Sequence, residues 1–157
     1  MRKTTQYFLF DLCDRTFAVP LHAVKRIVRM AYITPLPGAP RVVRGIINLQ
    51  GRVVPVIDIR VRFGMESRPP RLNDRMIIVG MPDRTVALWA DDIRGTIECD
   101  ESEVARGGGF FSESGPVEGA MVYGDDIVLI QDLPRLLLPE EEEVLDRTIH
   151  AGEANSE

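Results

Sequence analysis

The sequence predicts a mainly-β protein of two related units, each of about five strands, with short helical segments and an acidic C-terminal tail. Three observations predict it: a hexapeptide that occurs twice, a longer hairpin-like pattern that occurs twice, and short apolar runs punctuated by turn residues throughout.

The first echo is "DRTFAV" at 14–19 and "DRTVAL" at 83–88, each following an apolar run, "YFLFDLC" (7–13) and "MIIVGMP" (76–82). An Asp–Arg pair between two β-prone runs reads as a hairpin turn. In the first copy Phe8, Phe10 and Leu12 alternate before the turn, and Phe17 and Val19 after it. The second echo pairs "GIINLQGRVVPVID" (45–58) with "GAMVYGDDIVLIQD" (119–132): a run, a turn holding Gly51 or Gly124, and a second run ending in Asp58 or Asp132. The closers "IRVRF" (59–63) and "LPRLL" (133–137) follow as short helical segments, with Asp58 and Asp132 placed to cap them. The offset between copies is 69 residues for the first echo and 74 for the second, and the loop "ARGGGFFSESGP" (105–116) absorbs the difference. Hairpins resemble one another in any β protein, so chance similarity stays open beside duplication.

Between the echoes, "PLHAVKRI" (20–27) reads as a short helical turn, and "VALWADDI" (86–93) continues the second hairpin. At the C-terminus, Pro139 followed by Glu140–Glu143 fits a helix start, because carboxylates favour the positive end of the helix dipole; the tail 139–157 is expected to be helical or disordered. With 45% hydrophobic residues in 157, the chain can bury a core, but each half alone would be small and marginal, so two lobes sharing an interface are expected.

Composition bounds function. A net charge of −5 argues against general nucleic-acid binding, which needs a surplus of Lys and Arg. Residues 41–62 are nonetheless basic, with Arg41, Arg44, Arg52, Arg60 and Arg62 opposed only by Asp58. Cys13 and Cys99 have no CxxC spacing and read as small apolar residues in or beside strands. The basic N-terminus lacks a signal-peptide run, and no stretch is long and apolar enough for membrane insertion, so a cytoplasmic location is expected. His22 and His150 have no partners at metal-ligand spacing, and "RGGGF" (106–110) lacks the Lys-Ser or Lys-Thr of a phosphate loop. No catalytic constellation, metal or cofactor is called for; a binding surface is.

The stretch "ITPLPGAPRVVRGIINLQGRVVPVIDIRVRFGM" (33–65) resembles the signature of the CheW family of chemotaxis coupling proteins, whose pattern runs like "GVINLRGxVVPVIDLRxRFG". "VALWADDI" and "GAMVYGDDIVLIQDLPRLL" (119–137) are similar to that family's later strand and final hairpin, so the likeness covers about 6–138. The resemblance implies two five-stranded SH3-like barrels packed together in a single domain over 6–138, with approximate lobes 6–66 and 72–138 and strands able to cross between them. It also implies a non-enzymatic adaptor. A groove between the lobes would take the cytoplasmic tip of a methyl-accepting chemoreceptor, and outer surfaces would meet the regulatory domain of a CheA-type histidine kinase. The receptor-facing candidates are Val24, Arg26, Ile27, Val28, Gly45, Asn48 and Gln50; kinase-contact residues are unassigned. Gly45 would permit close backbone approach or relieve strand curvature, and Val24, Ile27 and Val28 suit either a docking strip or a barrel core.

The chain departs from the pattern at "NLQG", where Gln50 replaces the usual Arg, at "VKRI", where Arg26 stands at a frequently acidic position, and at Asp92, where a small residue is common. Either the first two define partner choice, or they are drift at a tolerant rim. The alternatives to a swimming-pathway adaptor are the same kind of module in surface motility or gene control, or a small β-barrel ligand-binding protein.

Overall fold

The computed structural model describes residues 3–106 and 117–154, so most of the predicted 105–116 loop lies outside the described residues. The architecture is mainly β, with two sheets and few helices. The strands are β1 (Thr4–Leu12), β2 (Arg15–Pro20), β3 (Val24–Arg29), β4 (Val43–Leu49), β5 (Arg52–Ile57), β6 (Arg75–Gly80), β7 (Thr85–Ala90), β8 (Asp92–Asp100), β9 (Ala105–Arg106), β10 (Val117–Tyr123) and β11 (Asp126–Gln131). Helix α1 (Ile59–Arg62) follows β5, and α2 (Pro139–Ala154) ends the described chain.

Both "DRT" echoes are hairpins, β1–β2 and β6–β7, with Phe10 opposite Phe17 in the first and Ile77 opposite Leu88 in the second. Strands cross between the two halves of the chain. One sheet runs β8-β1-β2-β11-β10-β9 and the other β3-β6-β7-β5-β4. Each hairpin therefore lies in the sheet whose other strands come from the opposite half of the chain. The joints are the two parallel pairs, β2 with β11 and β5 with β7. The approximate boundaries 6–66 and 72–138 divide the sequence, and the sheets do not follow them.

The physical reason is that both hairpins are apolar on both faces. Phe8, Phe10, Leu12, Phe17 and Val19 pack with Ile77, Val79, Val86 and Leu88 in a central cluster between the sheets. The alternate residues turn inward: Tyr7, Leu9 and Ala18 join Met121, Val128 and Ile130 inside one barrel, while Met76, Ile78, Ala87 and Trp89 join Ile47, Val54 and Val56 inside the other. A strand buried on both faces can only sit between two cores.

Each sheet is closed by a short segment laid along its edge. After β3 the chain crosses to β4, where Thr34 and Ile46 exchange backbone hydrogen bonds of 2.8 and 2.9 Å. After β8 it crosses to β10, where β9 pairs through Ala105 with Ala120. Ile46 and Ala120 each follow the first glycine of the second echo. A Cβ on Gly45 would lie 2.4 Å from the Thr34 carbonyl oxygen, and one on Gly119 would lie 2.9 Å from that of Ala105. The repeated glycine thus admits the closing segment. The close approach weighed for Gly45 is made by its own chain.

Local details also differ from expectation. "PLHAVKRI" is helical only as a 3-10 turn at Leu21–Ala23 and then becomes β3, so the candidate docking residues sit on a strand. Asp58 caps α1, accepting from Arg60 N at 3.1 Å, but Asp132 makes no side-chain cap. Cys99 is buried as expected, whereas Cys13 is exposed at the β1–β2 turn with φ 55°, its N–H donating to Asp91 at 2.7 Å. Among the described residues no helix is long and apolar enough to cross a membrane.

Candidate interaction groove

Strand β3 is an edge strand, paired on one side with β6, and a register shift between Val24 and Arg26 decides which way its residues point. Beyond the shift Arg26 pairs with Ile78 and Val28 with Met76, both in the barrel interior; Ile27 pairs with Ile77 of the inter-sheet cluster. Val28 is half-buried against that interior and Val24 against the inter-sheet core, while Ile27 is 42% exposed. The three apolar residues thus part company: Val24 and Val28 pack, and Ile27 is exposed.

Arg26 and Gln50 come from different strand pairs, yet they line one groove at the open end of the β3–β7 barrel. Gln50 and Gly51, with φ 51° and 85°, form the two-residue turn between β4 and β5, the geometry expected of a primed hairpin turn. Asn48 steadies this turn by accepting from Gly51 N at 2.8 Å. The wall between them includes Lys25, Arg52 and Val53, the last 44% exposed. Among the described residues no hydrogen bond or ion pair joins Arg26 to Gln50, and none of Lys25, Arg26 and Arg52 forms an ion pair; Lys25 Nζ donates to Thr85 at 2.8 Å. Gly45 is buried beneath the closing segment and is not part of the lining of this groove.

A second groove lies between the sheets, lined by Pro20, His22, Ala23, Met81, Gln131 and Leu133. Gln131 is fully buried there, with both amide atoms lacking a hydrogen-bond partner among the described residues. Lys25 lines both depressions, so they meet across β3.

The basic run 41–62 is divided: Arg41, Arg44 and Arg52 are exposed, while Arg60 and Arg62 turn into the protein. Arg60 is fully buried, 4.5 Å from the centre of the Trp89 ring, and pairs with Asp91; Arg44 and Arg68 flank the same ring at 5.4 Å. Arg68 grips Asp74 through two bonds of 2.8 Å and reaches Asp91 at 2.6 Å, while Trp89 Nε1 donates to Asp74 at 2.9 Å. Burial alone would raise the Asp74 pKa. The Arg68 guanidinium, the Arg71 N–H and the indole N–H outweigh it and hold the carboxyl below its usual range. Arg62 pairs with Glu141 of α2. Spacing in the sequence could not reveal this cluster, because Asp74, Trp89 and Asp91 reach it only through the sheet pairing. Among the described residues no group of His, Cys, Asp and Glu could hold a metal ion.

A family model described as a CheW-like domain matches residues 6–141. The chain belongs to the CheW-like family. Chemotaxis protein CheW of Rhizobium meliloti is 32% identical over 95 residues, 60% of this chain and 61% of that protein, so the match spans about three-fifths of that relative. The CheW of Klebsiella aerogenes is 23% identical over 144 residues, 90% of this chain and 86% of that one. The crystal structure of the scaffolding protein TtCheW from Thermoanaerobacter tengcongensis superposes with a TM-score of 0.80 at 27% identity, covering 88% of this chain and 96% of that chain. The CheW-like model ends inside α2, at Glu141, so the rest of that helix lies beyond the matched region.

Proposed function

We propose that this chain is a non-catalytic adaptor of the cytoplasm, holding the tip of a chemoreceptor's helical hairpin and the regulatory domain of a CheA-type histidine kinase in one assembly. Family membership supports the class of function. The observation that carries the site is the meeting of two grooves at β3: Lys25 joins them, Arg26 and Gln50 stand at one end, and Ile27 is exposed on the strand's other face. An apolar strip with a polar rim is what a helical tip requires. Arg26, Ile27 and Gln50 would make the contacts, while Val24, Val28, Gly45 and Asn48 hold the backbone that presents them. The test is a pull-down of the purified protein against receptor cytoplasmic fragments and CheA-type kinases encoded in the same genome. Binding to one of each is expected, with loss of receptor binding in Arg26→Glu. A folded protein that captures no receptor and no kinase would refute the proposal.

A further inference from the structure

The groove holding Arg26 and Gln50 has a third wall that sequence reasoning did not assign to it. Helix α2 packs Leu145 and Ile149 against the inter-sheet cluster and contributes Ile149 to the lining. Three contacts fix it there: Leu145, fully buried in the inter-sheet cluster; Arg62 to Glu141; and Arg84 to Asp146. Glu141 also accepts from Leu138 N at 2.8 Å, pinning the start of the helix. Leu145, Asp146 and Ile149 all lie past the end of the region matched by the family model.

We infer that α2 is a specificity-determining wall of the docking groove, and that it fits an amphipathic helix of a receptor tip carrying acidic residues; this rests on the function proposed above. The occupant follows from charge and surface. Among the described residues, Lys25, Arg26 and Arg52 line the groove without an ion pair, and Asp146, the carboxylate reaching this end from α2, is already bound to Arg84. Arg84 Nε is buried without an acceptor among the described residues. Apolar area comes from Leu49, Val53, Pro55 and Ile149. A helix with an apolar stripe bordered by carboxylates would cover that area and neutralise the three cations. Ile149 sets the width of the slot, and the Arg84–Asp146 pair sets its charge.

The probe is a purified cytoplasmic hairpin fragment of a chemoreceptor with its acidic tip residues intact, titrated against the full chain at low and moderate salt. Ile149→Asp is expected to weaken binding roughly tenfold. Arg52→Gln, which leaves the contacts of α2 untouched, is expected to weaken binding several-fold and to flatten its salt dependence, a readout that a purely structural helix would not move. Thermal melting monitors folding, and Ile149→Ala, which places no charge against the barrel, serves if the Asp variant unfolds; a several-fold loss is expected there. Arg26→Glu separates the two ideas. If it loses binding while both Ile149 variants bind as the parent does, α2 is no wall and the adaptor reading stands. If none of the three changes affinity, the groove itself is wrong and the inference falls with it. Weakening by Ile149→Asp with no change of affinity or salt response in Arg52→Gln would overturn the acidic character of the partner. Concentration-dependent dimerisation of the parent that Ile149→Asp abolishes would assign the groove to a second copy of this chain instead.

Discussion

Replacing Gly45 by alanine tests the account of barrel closure directly. The new Cβ would stand 2.4 Å from the Thr34 carbonyl oxygen and 2.7 Å from Ile33 Cγ2, at a backbone φ of 151° that L residues rarely adopt. The closest atom cannot simply rotate away, because it belongs to the main chain and accepts from Ile46 N at 2.9 Å. Moving it breaks that bond and strains its partner from Thr34 N to Ile46 O, at 2.8 Å. Each lost bond is worth about 1 kcal/mol net, and the backbone conformation costs about 1–2 kcal/mol for a non-glycine residue. The expected loss is about 3 kcal/mol, which lowers the melting temperature of a chain this long by about 10 °C. Gly119→Ala is the internal control, since its Cβ would lie 2.9 Å from the Ala105 oxygen without the unusual φ, so a smaller loss of about 1 kcal/mol is expected. Urea denaturation of both variants, followed by circular dichroism, gives the comparison. If Gly45→Ala melts within about 2 °C of the parent, the closing segment does not depend on that glycine and the reasoning fails.

Two carboxylates should respond to pH with opposite signs. Burial raises the pKa of Asp132, so its ionised form costs stability at neutral pH, and the cost disappears as acid protonates it in both states. Asp132→Asn should therefore melt higher than the parent at pH 7 and like it at pH 3; an equal or lower melting point at pH 7 rejects this. The Asp74 carboxyl has its folded pKa lowered, so its contribution is complete above the unfolded value near 4 and is lost as pH falls through the folded one. Because the single Trp of the chain donates to Asp74, its fluorescence should hold steady from pH 7 to about 4 and change below that; a change centred above pH 5 would contradict the assignment. For the groove, Arg26→Glu combined with Gln50→Arg should couple by about 1 kcal/mol in receptor affinity, measured as a double-mutant cycle at two salt concentrations. Strict additivity with unchanged partner preference would mean that these two departures from the family pattern are drift.

Element type was legible where the period of the sequence carried it. Phe8, Phe10, Leu12, Phe17 and Val19, picked out by alternation, do share one buried cluster. The intervening Tyr7, Leu9 and Ala18 are just as buried, facing a different core, and a period-two pattern cannot reveal a strand that is apolar on both sides. The period is equally silent on which sheet a hairpin joins, since pairing partners far apart in the chain leave no local signal; only the family resemblance allowed for strands that cross. Of the candidate site, Arg26 and Gln50 were found together because the family pattern singles out both. Ile149 was missed because nothing in an acidic tail indicates which wall its apolar face will cover. His22 is exposed in the 3-10 turn Leu21–Ala23.

The exchanged hairpins bear on what an adaptor must do. If each half of the chain closed its own barrel, the two barrels would meet through a single interface and could rotate on it, and two bound partners would feel each other only weakly. Here β1–β2 supplies one barrel with its Tyr7 and Leu9 face and the inter-sheet core with its Phe8 and Phe10 face, while β6–β7 does the same for the other barrel through Met76 and Ile78 on one side and Ile77 and Val79 on the other. Rotating one sheet against the other would pull these side chains from close-packed cores on both faces at once, and close-packed interiors transmit strain instead of absorbing it. Strand β3, where the two grooves meet, is hydrogen-bonded directly to β6 of the exchanged hairpin. On the proposed function, a helix seated on β3 therefore pushes on a strand that belongs to both cores, and the displacement is handed to the opposite barrel without a hinge between them.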